Sequence, residues 1–330
     1  MDRFLLEEAI KNKSFVIRPG VDVKEVDLED YKKICSNYFM LNNCEELTIY
    51  NMDDKNNLLS KDFKNLKLLQ MSGCELIKLK SLEKLKKLKY LIIKYLHHNT
   101  NDNNGQNIKY DTELPLINKL EHLEINSLYF NINIPSYKNL KSLIIENIYD
   151  NLTLNDNLKS LYYLKIENSN LLNIPNTYIN LKILELDNIN NLKELPDTLI
   201  NLERLTIKNC KNLNYLPETL INLKYLTLNV LSKLKIKYIP KTYTNLEYFN
   251  FSCDNYFGEE DILINLCIQI KENSNFNKFK NNFLFLPYEV FENLKVFNYY
   301  NFKNNFTIDL NNFKKLVEDN LYINNNFLII

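Results

Sequence analysis

The residues that could support acid–base, nucleophilic or metal chemistry are few and scattered. His97, His98 and His122 are the three histidines, and no further Cys or His stands at the spacing that a zinc site requires. The six cysteines form no CxxC pair; they stand at positions 35, 44, 74, 210, 253 and 267. Four scattered glycines cannot form a phosphate-binding loop, and no G-x-S-x-G motif occurs. We therefore predict a protein that is not an enzyme and holds neither a metal nor a cofactor.

A second group of polar and aromatic residues recurs at a fixed spacing. The spacing is set by the frame L-x-x-L-x-L-x-x-(C/N/aliphatic), whose clearest copy runs from Leu202 to Cys210. Copies of the frame begin at Cys44 (degenerate), Leu66, Leu88, Leu120, Leu140, Leu161, Leu181, Leu202, Leu223, Leu246 and Leu294. A repeat of about 20 residues is typical of solenoid proteins, in which each turn of the coil buries its apolar side against its neighbours.

The frame predicts one short β-strand in each turn. Its fourth and sixth positions are apolar and alternate with mostly polar residues, which is the pattern of a half-buried strand. After the strand come further leucines and a proline, as in Leu192, Leu195 and Pro196. Because proline disfavours a long helix, we expect 3₁₀ or single-turn helices on the opposite side of each turn.

These residues resemble the leucine-rich-repeat family. The stretch NLERLTIKNCKNLNYLPETLINLKYLTL is similar to the repeats of plant intracellular immune receptors and to other short L-x-x-L-P repeats. The resemblance covers residues 44–302, with about 11 repeats. It implies an α/β leucine-rich-repeat solenoid (horseshoe) with a concave parallel β-sheet and a convex side of short 3₁₀ or helical turns and loops. The family implies ligand binding without specifying the ligand.

The ninth frame position departs from the family pattern. It is often aliphatic, as at Ile148 and Ile189, where the family has Asn or Cys. Asparagine stands one position earlier instead, at 147, 168, 188 and 209. We expect these asparagines to satisfy backbone groups where the strand turns.

Two insertions and two ends lie outside the regular repeats. We predict an insertion near 97–108, which is polar and Asn-rich, and another near 254–285. The second one begins with acidic residues typical of a helix N-terminus, yet Leu266, Ile268 and Ile270 alternate as in a degenerate repeat; both interpretations stay open.

Residues 1–43 are predicted to form an N-terminal cap, with an extended piece around Phe15 to Ile17 between amphipathic helices. Residues 303–330 would form a C-terminal cap with a short helix over 310–317.

Composition limits the class of partner and the location. The formal net charge is zero, with 41 basic and 41 acidic residues, which argues against a nucleic-acid binder and against electrostatic docking on an anionic membrane. The N-terminal sequence MDRFLLEEAIKNK lacks the apolar core of a signal peptide, and no apolar run is long enough to span a bilayer. Cysteine usage favours free thiols, so we predict a cytoplasmic, reducing location.

The third, fifth and seventh frame positions should point away from the core and line the concave face. The third position carries a column of tyrosines, and the fifth and seventh carry acidic residues beside basic ones. The predicted partner-binding residues are Tyr90, Glu124, Glu146, Tyr163, Lys165, Glu167, Glu185, Asp187, Arg204, Lys208, Tyr225 and Tyr248. Exposed aromatic residues are common interface anchors, although each of these side chains is also compatible with an ordinary solvated surface.

We therefore predict a non-catalytic protein–protein interaction module that binds a macromolecular partner on the concave face. The acidic residues indicate that this partner presents a basic, extended segment. An alternative is a substrate-recruiting adaptor subunit of a ubiquitin ligase, with residues 1–43 as the recruiting end. The sequence does not indicate an oligomeric state.

Overall fold

The computed structural model describes most of the repeat region and parts of both ends. The described residues are 14–17, 45–50, 63–73, 79–94, 114–126, 133–149, 151–230, 235–253, 265–269, 283–301, 304–307, 310–311, 314–315 and 327–329. They fall into two compact units, Met1–Asp150 and Asn151–Ile330, which are described separately.

Unit 1 contains a parallel sheet in which strands follow one another in chain order. Its strands are β1 (Ser14–Ile17), β2 (Glu46–Tyr50), β3 (Leu68–Ser72), β4 (Tyr90–Lys94), β5 (His122–Asn126) and β6 (Ser142–Glu146). A 3₁₀ helix, Leu79–Lys84, precedes β4. The pairing joins equivalent frame positions, since Leu69 lies opposite Leu91 and Leu91 lies opposite Leu123. The extended piece predicted within residues 1–43 is β1, which pairs in parallel with β2.

Unit 2 continues the same pattern of one strand per turn. Its strands are β7 (Asn151–Leu152), β8 (Tyr163–Glu167), β9 (Asn170–Leu171), β10 (Ile183–Asp187), β11 (Arg204–Lys208), β12 (Tyr225–Val230), β13 (Tyr248–Cys253), β14 (Asn265–Gln269), β15 (Phe283–Pro287), β16 (Val296–Asn301), β17 (Asn304–Thr307) and β18 (Phe327–Ile329). The main sheet has the order β8-β10-β11-β12-β13-β16-β17, and only the β16–β17 pair within it is antiparallel. Each predicted frame therefore contains a strand.

Two small sheets accompany the main sheet of unit 2. The two-residue strands β7 and β9 pair in parallel. Strand β14 pairs in parallel with β15 and antiparallel with β18, and β15 leads directly into the helix α1 (Tyr288–Glu292). The described parts of the 254–285 insertion, 265–269 and 283–285, therefore belong to strands of a separate sheet and not to a further repeat of the main sheet. The acidic segment at which a helix was predicted to begin lies outside the described residues.

The core of each unit consists of the apolar frame positions. In the turn that contains β10, the first, fourth and sixth positions are Leu181, Leu184 and Leu186, and all three are fully buried. The aliphatic ninth position is buried as well, as at Ile189. Each such side chain contributes about 1.5–3 kcal/mol through the hydrophobic effect. Because these positions are in register between strands, the burial continues from one turn to the next.

The turn asparagines, at the eighth frame position, have left-handed backbone conformations. Asn147, Asn168, Asn188 and Asn209 have φ between 47° and 59°, and Gly73 takes the same place with φ 64°. Asparagine tolerates this conformation better than other residues with a Cβ atom. The backbone N–H groups of Asn168, Asn188 and Asn209 donate to a carbonyl near the end of the following strand of the main sheet, for example from Asn188 to Lys208 O at 2.8 Å. The side-chain amides of Asn147 and Asn188 donate to the side-chain oxygens of Asn126 and Asn168, so the predicted satisfaction of backbone groups by these side chains stays a prediction.

A second set of asparagines stands immediately before the frame and forms a side-chain ladder. Each donates its amide to a carbonyl of the preceding turn at 2.8–2.9 Å; the pairs are Asn139 to Asn118 O, Asn180 to Lys159 O, Asn201 to Ile179 O, Asn222 to Ile200 O and Asn245 to Ile221 O. We call these five residues the ladder asparagines. They connect consecutive turns through groups that would otherwise need water.

Three buried tyrosines connect turns in a similar way. Tyr137, Tyr178 and Tyr243 stand three residues before the frame and donate their hydroxyls to carbonyls of the preceding turn, at 2.9–3.0 Å. Burial raises the pKa of each hydroxyl well above its ordinary value. The hydroxyls therefore remain protonated hydrogen-bond donors throughout the physiological range.

The side of each turn opposite the sheet has little helix and consists of short turns and loops, in line with the predicted fold class. The described segments there are mostly tight turns, such as those around Pro196 and Pro217, and the α-helix α1 has five residues. In the predicted C-terminal cap, 310–311 and 314–315 are helical, and the rest of the predicted helix over 310–317 lies outside the described residues. So do the loop near 97–108 and the helices predicted in 1–43.

Within the described residues, none of the helices combines the length and the apolar character needed to cross a lipid bilayer.

Candidate functional site

The candidate site is the open face, which we define as the sheet surface carrying frame positions three, five and seven. The strands alternate in burial as the frame predicts: in β10 the side chains of Leu184 and Leu186 are buried, and those of Ile183, Glu185 and Asp187 are partly exposed. Since alternate side chains of a strand point to opposite faces, the open face presents the predicted residues to the exterior. We describe it unit by unit.

In unit 2 the third frame positions form one row across consecutive strands. The strand register places Tyr163, Ile183, Arg204, Tyr225 and Tyr248 side by side. The rings of Tyr225 and Tyr248 are stacked, with centroids 4.5 Å apart and planes 12° apart. The guanidinium carbon of Arg204 lies 4.5 Å from the centroid of the Tyr225 ring, which is a cation–π contact. We call Arg204, Tyr225 and Tyr248 the stacked trio.

The predicted charged residues of unit 2 are largely paired with one another. The amine of Lys165 lies 2.8 Å from a carboxylate oxygen of Glu167, and that of Lys208 lies 3.9 Å from one of Asp187. Burial raises the pKa of Asp187, and the positive charge of Lys208 opposes this effect. Basic and acidic residues are thus interleaved here, and the face does not form a uniformly negative patch in unit 2.

Glu185 and Arg204 differ from these charges because, among the described residues, neither has an ion-pair partner. Glu185 is partly exposed and Arg204 is exposed. They lie on neighbouring strands, two residues apart in register, because Ile183 pairs with Arg204. Both charges therefore remain available to a binding partner.

In unit 1 the open face centres on His122. Its ring lies beside that of Tyr90, with centroids 6.1 Å apart, and its Nδ1 atom is 2.9 Å from the hydroxyl oxygen of Ser142. Burial lowers the pKa of His122, and the nearby carboxylate of Glu124 partly offsets this effect. The ring therefore remains neutral near pH 7.

The group of Ser142, His122 and Glu124 does not have the geometry of a catalytic triad. The carboxylate of Glu124 lies 4.0 Å from His122 Nε2, beyond hydrogen-bond distance, and it is held by Lys94 at 2.6 Å. Strands β5 and β6 pair with one another through their backbones, and the backbone N–H of Ser142 donates to the carbonyl of Glu121 at 3.1 Å. These side chains orient one another as a polar cluster.

Glu146, the remaining predicted residue of unit 1, accepts a hydrogen bond of 3.0 Å from the side-chain amide of Asn126. Asn126 in turn accepts one from the turn asparagine Asn147, also at 3.0 Å. Leu68, Ile92 and Ile144 are partly exposed on the same face. The open face of unit 1 is therefore a mixture of apolar and internally bonded polar side chains.

Metal and thiol chemistry find little support among the described residues. In that part of the chain, no three His, Cys, Asp or Glu side chains are grouped so as to hold a metal ion. Cys210 is a free, buried thiol that donates to the carbonyl of Lys208, and burial raises its pKa to about 12. It is therefore a structural residue of low reactivity. His97 and His98 lie outside the described residues.

Sequence reasoning missed a charged ladder at the second frame position. In unit 1, Lys67 pairs with Glu45, and Glu121 pairs with both Lys89 and Lys141. In unit 2, Glu203 pairs with both Lys182 and Lys224, and Glu247 pairs with Lys295. The signal was present in the alternation of acidic and basic residues at this position. We call these residues the ion ladder.

The register, the left-handed turn residues and the ladders together define the fold class as a leucine-rich-repeat solenoid, as predicted. No protein-family model matches the chain, and no curated protein matches it in sequence.

Solved structures similar to this chain include InlP of Listeria monocytogenes, with 18% identity, 68% of each chain covered and a TM-score of 0.49. A leucine-rich-repeat protein of Leptospira interrogans has 18% identity over 90% of this chain and 88% of that chain, with a TM-score of 0.40. The Drosophila Toll–Spätzle complex has 13% identity over 86% of this chain and 49% of that chain, with a TM-score of 0.38. Because the sequence identities and TM-scores of these structures are low, the fold assignment rests on the repeat geometry of this chain itself.

Proposed function

We propose that this protein is a non-catalytic interaction module and that its open face binds an extended segment of a partner protein. The observation that carries the proposal is the stacked trio of unit 2. Tyrosine and arginine are the residue types most enriched at the energetic centres of protein interfaces. Here two tyrosines and an arginine stand side by side on a solvent-accessible sheet face, already ordered by their mutual contacts.

Preordering of this row favours binding. Side chains that are immobilised before association lose less conformational entropy when a partner arrives. The flanking residues Tyr163 and Ile183 extend the row with further partly exposed aromatic and aliphatic surface. The row spans adjacent strands about 4.8 Å apart, which suits an extended chain lying across the sheet.

The chemistry of the partner follows from the charges that are not engaged. A basic segment, predicted from the sequence, would bind at Glu185, since Glu167 and Asp187 of unit 2 are paired with lysines.

We propose a cytoplasmic location for this binding, which the free thiol of Cys210 supports. The alternative role as a ubiquitin-ligase adaptor depends on residues 1–43, of which the structure describes only 14–17. That role stays a prediction.

The test is selection of binders from a random peptide library on the immobilised full chain, followed by affinity measurement. Replacing both Tyr225 and Tyr248 with serine should weaken the selected peptides by about 2 kcal/mol or more, roughly 30-fold, if the row is an energetic centre. The matched control replaces Tyr162 and Tyr215 with serine, since both are exposed but lie off the open face. Equal affinity for the wild type and the Tyr225/Tyr248 variant would overturn the proposal.

A further inference from the structure

We infer that the segment bound by the open face of unit 2 carries a basic, an acidic and an aromatic or large apolar side chain, in this spatial order and at alternate residues. The inference rests on the proposed function and specifies the ligand of the same face. It follows from three features of unit 2: the unpaired Glu185, the unpaired Arg204 and the stacked pair of Tyr225 and Tyr248.

The two unpaired charges set the ionic part of the motif. Most charged side chains of this face already have a partner within it, so binding a new ion there would require breaking Lys165–Glu167 or Lys208–Asp187. Glu185 and Arg204 have no such partner among the described residues. A partner amine at Glu185 and a partner carboxylate at Arg204 complement both charges without such a cost.

The stacking of Arg204 makes it a good carboxylate receptor. Its guanidinium carbon lies over the Tyr225 ring, 4.5 Å from the centroid, and arginine contacts with aromatic rings commonly use the flat face of the guanidinium. The N–H donors lie in the guanidinium plane and point outward along its edges, where a carboxylate can accept two parallel hydrogen bonds. An arginine held in this way has already lost much of its rotamer freedom, which favours binding.

The stacked tyrosines supply the apolar part. Because Tyr225 and Tyr248 face one another at 4.5 Å, their ring edges form a continuous, partly exposed ridge on the open face. Ring edges carry partial positive charge and attract the face of another aromatic ring. An aromatic side chain, or failing that a large aliphatic one, therefore fits beside Arg204 on this ridge.

The distances between these three features match an extended chain. Glu185 and Arg204 are one strand and two residues apart, which places their Cα atoms about 8 Å apart. Arg204 and the middle of the tyrosine pair are about 7 Å apart across the strands. Side chains on the same side of an extended segment repeat every 6.6–6.8 Å or so. The three groups therefore correspond to residues i, i+2 and i+4 of the partner.

The experiment compares peptide-library selections on the wild type and on the double variant Glu185→Arg/Arg204→Glu, which has the same net charge. We expect the wild type to enrich Lys or Arg, then Asp or Glu, then an aromatic residue at alternate positions. The double variant should enrich the two charges in exchanged order. In fluorescence anisotropy, the matched peptide should bind the wild type about tenfold more tightly than its charge-exchanged form, and the preference should shrink at high salt.

Two further variants make the result specific. Glu185→Lys alone should abolish enrichment of the basic residue and retain that of the acidic one. The control variant Glu45→Lys/Lys67→Glu exchanges an ion-ladder pair of unit 1, outside the open face of unit 2, so it should leave the selected order unchanged.

Failure of the inference and failure of the proposed function give different results. If selected peptides depend on Tyr225 and Tyr248 but show no charge order, or an order that the double variant does not exchange, the inference is wrong and the proposed function stands. If no peptide is enriched, or if enriched peptides are indifferent to the Tyr225/Tyr248 substitution, both are wrong.

Discussion

At the scale of single residues, asparagine has two distinct structural roles in this chain. The turn asparagines accept a left-handed backbone at the end of a strand, where a residue with a bulkier Cβ would be strained. The ladder asparagines use the side-chain amide to satisfy a carbonyl one turn earlier. Both roles arise from a short side chain that has a donor and an acceptor close to the backbone.

The ladder role predicts a measurable loss of stability when the amide is removed. Asn201→Ala leaves the carbonyl of Ile179 without its 2.9 Å donor, and we expect the free energy of unfolding to fall by about 0.5–1.5 kcal/mol. Chemical denaturation measures this change. Asn173→Ala is the matched control, since Asn173 is exposed and no hydrogen bond of its side chain is found among the described residues. Equal effects of the two substitutions would show that the ladder contributes nothing.

The sequence predicts the turn asparagines and misses the ladder asparagines for a physical reason. The eighth frame position follows directly from strand periodicity, so a role at the strand end could be deduced locally. The acceptor of a ladder asparagine lies 21 to 24 residues earlier, and its location depends on the path of the chain between strands. The site shows the same limit: the tyrosine column follows from the frame, while the pairing of Glu124 with Lys94 depends on side-chain reach between strands.

At the scale of elements, strands are predicted well and the connections between them less well. The two-residue alternation places a strand in every frame, including the degenerate one at Cys44. Alternation also occurs at Leu266, Ile268 and Ile270, yet β14 pairs outside the main sheet. A strand pattern specifies a half-buried surface and does not specify which strand will pair with it.

The ion ladder connects neighbouring elements and should act in a pH-dependent way. The pKa of Glu203 is lowered, chiefly by its hydrogen bond from Lys182 and also by Lys224. A carboxyl with a lowered folded-state pKa stabilises the protein above its unfolded-state pKa, about 4.3, and loses this contribution as the pH falls through the folded-state pKa. Since Glu203 and its two lysine partners are partly exposed, we expect this contribution to the free energy of unfolding to be less than about 1 kcal/mol.

The corresponding measurement is the unfolding free energy of Glu203→Gln between neutral and acidic pH. The variant should be slightly less stable than the wild type at pH 7, and the difference should vanish once Glu203 is protonated in the folded protein. High salt should also reduce the difference. Glu218→Gln is the control, because Glu218 is exposed and has no ion pair among the described residues. A difference that persists at low pH would indicate a packing effect and contradict the electrostatic explanation.

At the scale of the whole molecule, stability comes from contacts between successive turns. Fully buried leucines repeat at equivalent positions, so Leu205 of unit 2 lies opposite Leu184 on one side and Leu226 on the other. No turn encloses its own core. In such proteins the free energy of unfolding is approximately the sum of the stabilities of the single repeats and the interaction energies between neighbouring repeats. The repeat was therefore sufficient to predict the fold class, because one sequence period describes every interface.

This nearest-neighbour arrangement predicts that a cavity has local consequences. Leu205→Ala should lower the free energy of unfolding by about 2–5 kcal/mol, because the surrounding side chains relax only partly into the space. Amide hydrogen exchange should accelerate most in β10, β11 and β12, and less in β16 of the same unit. Ile200→Ala serves as the control, since Ile200 belongs to the same turn but is 48% exposed, and it should cost less than about 1 kcal/mol. Equal acceleration in all strands of unit 2 would instead mean that the unit opens as a single cooperative block, and the description of its stability as a sum of neighbouring contacts would be wrong.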